Sequence, residues 1–143
     1  MYLKKPKVDS NIIFICFLVS TIASLGSLFF SEIMNFVPCS FCWYQRIFMY
    51  PLVFIFLVNL LYPDDYVIKY SIILVIIGLC FSIYHNLLMF GIIPEKIVPC
   101  VNGIPCSTVY INWFGFVTIP FLSMLSYIIL FVLLILAYKG NRE

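Results

Sequence analysis

The sequence predicts an all-α integral membrane protein, a four-helix bundle with both termini cytoplasmic. Three observations carry that prediction. Of 143 residues, 64% are hydrophobic and 10% charged, whereas soluble domains are about half apolar and about a quarter charged. Too little polar surface remains to coat a domain of this size, and a mean hydropathy of +1.14 makes lipid the solvent. Four runs free of Asp, Glu, Lys and Arg, at residues 10–31, 47–63, 70–94 and 97–138, each have room for a membrane-crossing helix of roughly 17 to 25 residues. Threaded alternately, they leave Lys4, Lys5, Lys7, Lys69, Lys139 and Arg142 on one side and only Arg46 and Lys96 on the other, which assigns the first side to the cytoplasm. A soluble enzyme, a disordered chain and a nucleic-acid binder are excluded together; the formal charge of +2 argues for no polyanionic partner.

The first helix is expected over about residues 11–31. Three lysines before it imitate a signal peptide, but the apolar run outlasts the roughly 7 to 15 residues of a signal core and ends in Leu28-Phe29-Phe30-Ser31-Glu32, without a small-residue cleavage pattern. The second helix is expected over about 43–62, before the Pro63-Asp64-Asp65 turn, and the third over about 67–90. The last charge-free run must be divided: Pro99, Asn102, Gly103 and Pro105 mark a loop, so the fourth helix is expected from near Trp113 to Tyr138. Loops 32–42 and 91–112 then face outward and hold four of the six cysteines. Trp43, Tyr44 and Trp113 read as an interfacial aromatic belt.

Cysteines in an oxidising compartment form disulfides or exchange them. The first pair is Cys39-Ser40-Phe41-Cys42, a spacing that lets two sulfurs bond across one turn. If the second helix starts around Cys42, its free N–H groups lower that thiol's pKa. The same spacing also suits half of a zinc site or a structural staple. In the second pair, Cys100 and Cys106 flank Asn102-Gly103, the favoured centre of a tight hairpin that brings two Cα atoms within disulfide range. Pro38, Pro99 and Pro105 each precede a cysteine, as a backbone restraint or as ordinary loop residues. Cys16 and Cys80, inside helices, read as small apolar fillers; a thiol relay through the membrane would need both to face the interior.

Arg46 follows Cys42 by four positions and shares its helix face. There it either stabilises a thiolate and an adjacent anionic oxygen or extends to lipid phosphates. His85, the only histidine, lies near the outer end of the third helix, either as a proton donor to a reduced acceptor or as a hydrogen-bonded helix-end residue.

The string Cys39-Ser-Phe-Cys-Trp-Tyr-Gln-Arg46, the cysteine pair between helices three and four, Tyr84-His85 and Thr118-Ile-Pro120 together resemble the disulfide bond formation protein B (DsbB) family, closest to its short Gram-positive branch, BdbC. The resemblance spans nearly the whole chain. It implies a thiol oxidase that regenerates a secreted thioredoxin-like partner of the DsbA or BdbD type and passes electrons to a membrane quinone, menaquinone rather than ubiquinone. Carried over by chain order, it implies that Cys100 is attacked by the partner, that Cys106 exchanges with Cys39, and that Cys42 faces the quinone with Arg46 beside it; His85, from its position, is the second candidate cofactor-binding residue. One departure stands out. Five residues separate the second pair here, against a wide separation in the Gram-negative members, which puts their large loop movement in doubt for this chain. The vitamin K epoxide reductase family shares the ingredients but has its loop pair first and its C-x-x-C late. From another class, the alternative is a non-enzymatic tetraspan whose cysteines staple its loops or hold zinc.

Overall fold

The computed structural model of the chain describes residues 9–94, 109, 115 and 117–140. Four long helices account for the apolar runs: α1, Ser10–Leu28, extended by a π-helical turn at Phe29–Ile33; α2, Ser40–Leu61; α3, Val67–Met89; and α4, Ile119–Gly140. With the π-helical turn included, each spans 22 to 24 residues, or about 33 to 36 Å at 1.5 Å per residue, enough to cross hydrocarbon about 30 Å thick. The all-α four-helix membrane fold expected from the sequence is therefore present. The Cys100 and Cys106 hairpin and Trp113 lie outside the described residues.

Two boundaries differ from the sequence reading. α2 begins at Ser40 rather than 43 because Cys39 is its cap: Cys39 Sγ accepts the Cys42 N–H at 3.4 Å and the Cys39 carbonyl accepts the Trp43 N–H at 3.2 Å. α4 begins at Ile119 rather than near Trp113, with Pro120 in its first turn, where a missing N–H costs nothing. α3 ends in a Schellman arrangement: the Ile92 and Gly91 N–H groups reach the Leu87 and Leu88 carbonyls, both at 3.1 Å, and Gly91 takes φ +71°.

The helices pack as a ring in which α1 meets α2 and α4, and α3 meets α2 and α4. Cys16, Leu52, Phe56, Val75, Leu130 and Leu134 are wholly buried. Since lipid is as apolar as leucine, hydrophobicity does not separate inward from outward faces; small and polar groups mark the interior instead. Ser20, Ser71 and Ser82 are fully buried. Gly78 on α3 lies so close to Tyr127 on α4 that a Cβ there would overlap the ring. Tyr127 Oη continues to α2 and donates to the Gln45 carbonyl at 2.7 Å. Asn86 Nδ2 donates to its own helix at Ser82 O (2.9 Å) and across to Pro120 O on α4 (3.0 Å). These contacts fix α2, α3 and α4 relative to one another directly beside the cysteines.

Candidate redox site

Capping places Cys39 at the mouth of α2 and Cys42 one turn inside it, with their Sγ atoms 3.0 Å apart. His85, on α3, is 1% exposed and sits between two partners: Gln45 Nε2 lies 3.1 Å from its Nδ1, and Cys39 Sγ lies 3.6 Å from its Nε2. With the Gln45 amide donating to Nδ1, the ring proton stands on Nε2 and points at Cys39. Phe41 packs against Tyr84 and His85 at centroid distances of 5.3 and 5.6 Å, covering the ring from the α2 side.

The charge of the reduced pair falls on Cys39 rather than on Cys42. The Cys42 thiol donates to Cys39, and the His85 ring and the Cys42 backbone N–H add to it; together they overcome burial and hold Cys39 at about 4 against an ordinary 9.0. The helix N-terminus expected to act on Cys42 acts one turn earlier, because the helix begins earlier.

Arg46 is buried and does not extend to the lipid headgroups. Its Nε donates to Ser27 Oγ at 2.8 Å and its Nη2 to the Ser27 carbonyl at 2.9 Å, both on α1, and the guanidinium lies 5.4 Å from the Trp43 ring. Sequence reasoning named Arg46 and His85, both of which border the same cavity as the cysteine pair, but not Ser27, Gln45 or Tyr127, which hold them or the helices beside them. Gln45 stands within the motif string; nothing in the sequence links Ser27 or Tyr127 to it. Cys16 is buried and Cys80 exposed on the outer face of the bundle, so the two do not share an interior relay.

A cavity of about 450 Å³ adjoins the pair, and Cys39, Cys42, Arg46 and His85 all border it. Ile22 on α1 and Leu122, Leu125 and Ile129 on α4 also border it while being 40 to 69% exposed. The cavity therefore opens sideways, between α1 and α4, toward lipid. The Cys39, Cys42 and His85 donor atoms lie within 4.8 Å of one another. Tetrahedral zinc with Zn–S bonds of about 2.3 Å needs sulfurs about 3.8 Å apart, wider than the 3.0 Å found; the arrangement suits thiol exchange better than metal binding.

A capped dithiol with one low-pKa sulfur, set in a four-helix membrane bundle, defines a membrane thiol–disulfide oxidoreductase. The chain belongs to the DsbB family: the profile of the family described as Disulfide bond formation protein DsbB matches residues 9–137. The chain is 49% identical over 125 residues to disulfide bond formation protein C of Bacillus subtilis (strain 168), covering 87% of this chain and 90% of that one. It is 40% identical over 142 residues to a probable disulfide formation protein of Oceanobacillus iheyensis (97% and 98% covered). To a probable disulfide formation protein C of Halalkalibacterium halodurans it is 43% identical over 126 residues (88% and 92%). No solved structure matches.

Proposed function

We propose that the chain reoxidises an extracytoplasmic thioredoxin-like oxidase of the DsbA or BdbD type and passes the electrons to a membrane quinone, supporting disulfide formation in secreted proteins. The observation that carries this reading is the meeting of a dithiol, a buried cation and a buried imidazole at one cavity open to lipid. The cavity's volume lies in the range of small-molecule sites, about 300 to 1,000 Å³. Its mainly apolar walls suit a quinone ring and tail, and Arg46 supplies a desolvated cation where negative charge develops on a ring oxygen. Bound there, a quinone supplies a two-electron, two-proton acceptor, for which the resemblance favours menaquinone.

A partner thiolate attacks Cys100, breaking the Cys100–Cys106 disulfide and releasing Cys106 as a thiolate. The partner's second thiolate then displaces Cys100, and the partner leaves oxidised. Cys106 attacks Cys39 in the Cys39–Cys42 disulfide, and Cys42 leaves as a thiolate one turn from Arg46. Attack of Cys100 on Cys106 restores the loop disulfide and frees Cys39 as the thiolate its surroundings favour. Re-forming the Cys39–Cys42 disulfide would give a bound quinone two electrons, with one proton from the Cys42 thiol and the second from the medium, which had taken up the protons of the partner's thiols.

The deciding experiment is anaerobic reduction of an added quinone by the purified protein and a reduced thioredoxin-like protein. One quinone reduced per partner disulfide formed is expected; stoichiometric zinc without quinone reduction would turn the reading to a stapled or metal-binding tetraspan. In this reading both termini are cytoplasmic and loops 32–42 and 91–112 extracytoplasmic. A membrane-impermeant thiol reagent should then label Asn102→Cys in intact cells and leave Asp65→Cys untouched, and the reverse pattern would overturn the orientation.

A further inference from the structure

Two hydroxyls on the cavity wall, Ser24 Oγ on α1 and Tyr50 Oη on α2, have no hydrogen-bond partner among the described residues. Ser24 is only 8% exposed. Helix serines and threonines ordinarily satisfy themselves on a carbonyl one turn back, as Ser20 and Thr21 do on Phe17 O (3.0 and 2.7 Å) and Ser126 on Leu122 O (3.0 Å). Ser24 does not. Ser71 and Ser82 are also unpartnered, but neither borders the cavity.

The position of the two hydroxyls is informative. The Arg46 to Ser27 bonds set the register between α1 and α2, which run in opposite directions. Ser24 precedes Ser27 by three residues, about 4.5 Å along α1, and Tyr50 follows Arg46 by four, about 6 Å along α2. Both steps lead the same way, away from the cysteines. The cavity thus carries two polar levels roughly one helical turn apart: a cationic one at Arg46 and a neutral one, unsatisfied, at Ser24 and Tyr50. Two C=O bonds of about 1.23 Å at opposite corners of a six-membered ring place their oxygens about 5 Å apart, whereas adjacent corners place them about 3 Å apart.

We propose that Ser24 and Tyr50 form a second polar subsite that donates to the far carbonyl oxygen of a 1,4-quinone whose near oxygen faces Arg46. This rests on the reading of the cavity as a quinone site and adds two specificity-determining residues that hold the end of the ring away from Arg46.

The test is equilibrium binding to the oxidised full-length protein in lipid nanodiscs, read by quenching of tryptophan fluorescence. The probes are 2,3-dimethyl-1,4-naphthoquinone and 9,10-phenanthrenequinone, neither of which has a free quinone-ring position for thiol addition. Ser24→Ala and Tyr50→Phe should each weaken the para-quinone about 2- to 12-fold, the range for one neutral hydrogen bond, and leave the ortho-quinone unchanged. Each variant also removes an unpaired buried group, so without quinone it should melt at or above the wild-type temperature. Wild-type affinity for the para-quinone in both variants, or a lower melting temperature without ligand, would assign the hydroxyls to the fold and overturn the subsite alone. A wild-type protein that binds neither probe overturns the quinone reading and the subsite with it.

Discussion

Removing the Cys42 thiol should take the negative charge off Cys39. At pH 6 a thiol with the ordinary value of 9.0 is about 0.1% ionised, whereas Cys39, held at about 4, is almost wholly thiolate; the gain in reactive form is about 1,000-fold. Nucleophilicity falls with pKa at a slope of about 0.4 to 0.5, so a drop of five units takes back about 100- to 300-fold. Cys39 should therefore react only about 3 to 10 times faster than an ordinary thiol at pH 6, and more slowly at pH 9. The assay is alkylation of the fully reduced protein by iodoacetamide across pH 3.5 to 10, with Cys39 followed by peptide mass spectrometry. Wild-type protein should keep a plateau down to a midpoint near 4. Cys42→Ala loses the largest contribution and keeps His85 and the residue 42 backbone N–H, so its midpoint rises, its rate falls near pH 4 and rises at pH 9, and the two profiles cross. Because the folded value is depressed, this thiolate stabilises the reduced fold fully above pH 9.0, a contribution lost as pH falls to about 4. Coincident midpoints for the two proteins, or a wild-type midpoint near 9, would show that the cap does not hold the charge.

Three further outcomes follow from the same geometry. Arg46→Met removes a charge-assisted hydrogen-bonding group worth about 1.5 to 3 kcal/mol and should raise the apparent KM for quinone by one to two orders of magnitude; Arg46→Lys should do less, and Ser27→Ala, which spares the charge and the Ser27 carbonyl contact, least. Equal turnover in all three across quinone concentrations would withdraw Arg46 from the site. Gly78→Ala should destabilise the protein by about 1 to 3 kcal/mol through overlap with the buried Tyr127 ring, seen as a lower thermal midpoint in detergent, and an unchanged midpoint would contradict the close α3–α4 approach. Cys106→Ser leaves Cys100 without its resolving thiol, so a mixed disulfide with the thioredoxin-like partner should accumulate on non-reducing gels; its absence at normal protein levels would count against Cys100 as the residue attacked.

The four spans were legible because lipid tolerates few charges, and long gaps between charged residues are easily seen in a sequence. Faces were not: Ile22, exposed, and Ile13, buried, are the same residue in similar surroundings along α1, and only packing separates them. The start of α2 was misread because a cysteine is an uncommon cap; the expected N-terminus was moved inward, and the thiolate was assigned to Cys42 with it. Arg46 and Cys42 share a face by simple spacing, so their association was readable. That Arg46 turns inward depends on Ser27, 19 residues earlier on another helix, and that His85 meets Cys39 depends on a pairing 46 residues apart. Neither has a local signal.

In the proposed reading, the sideways opening between α1 and α4 determines how the protein meets its acceptor. A molecule entering there arrives from the hydrocarbon, so the quantity that sets its occupancy is its mole fraction in the membrane, not its amount per volume of buffer. At fixed protein and fixed total quinone, adding inert phospholipid or detergent should slow turnover by surface dilution alone, although neither reactant's bulk concentration changes. KM values measured in different micelles then become comparable only when expressed per lipid.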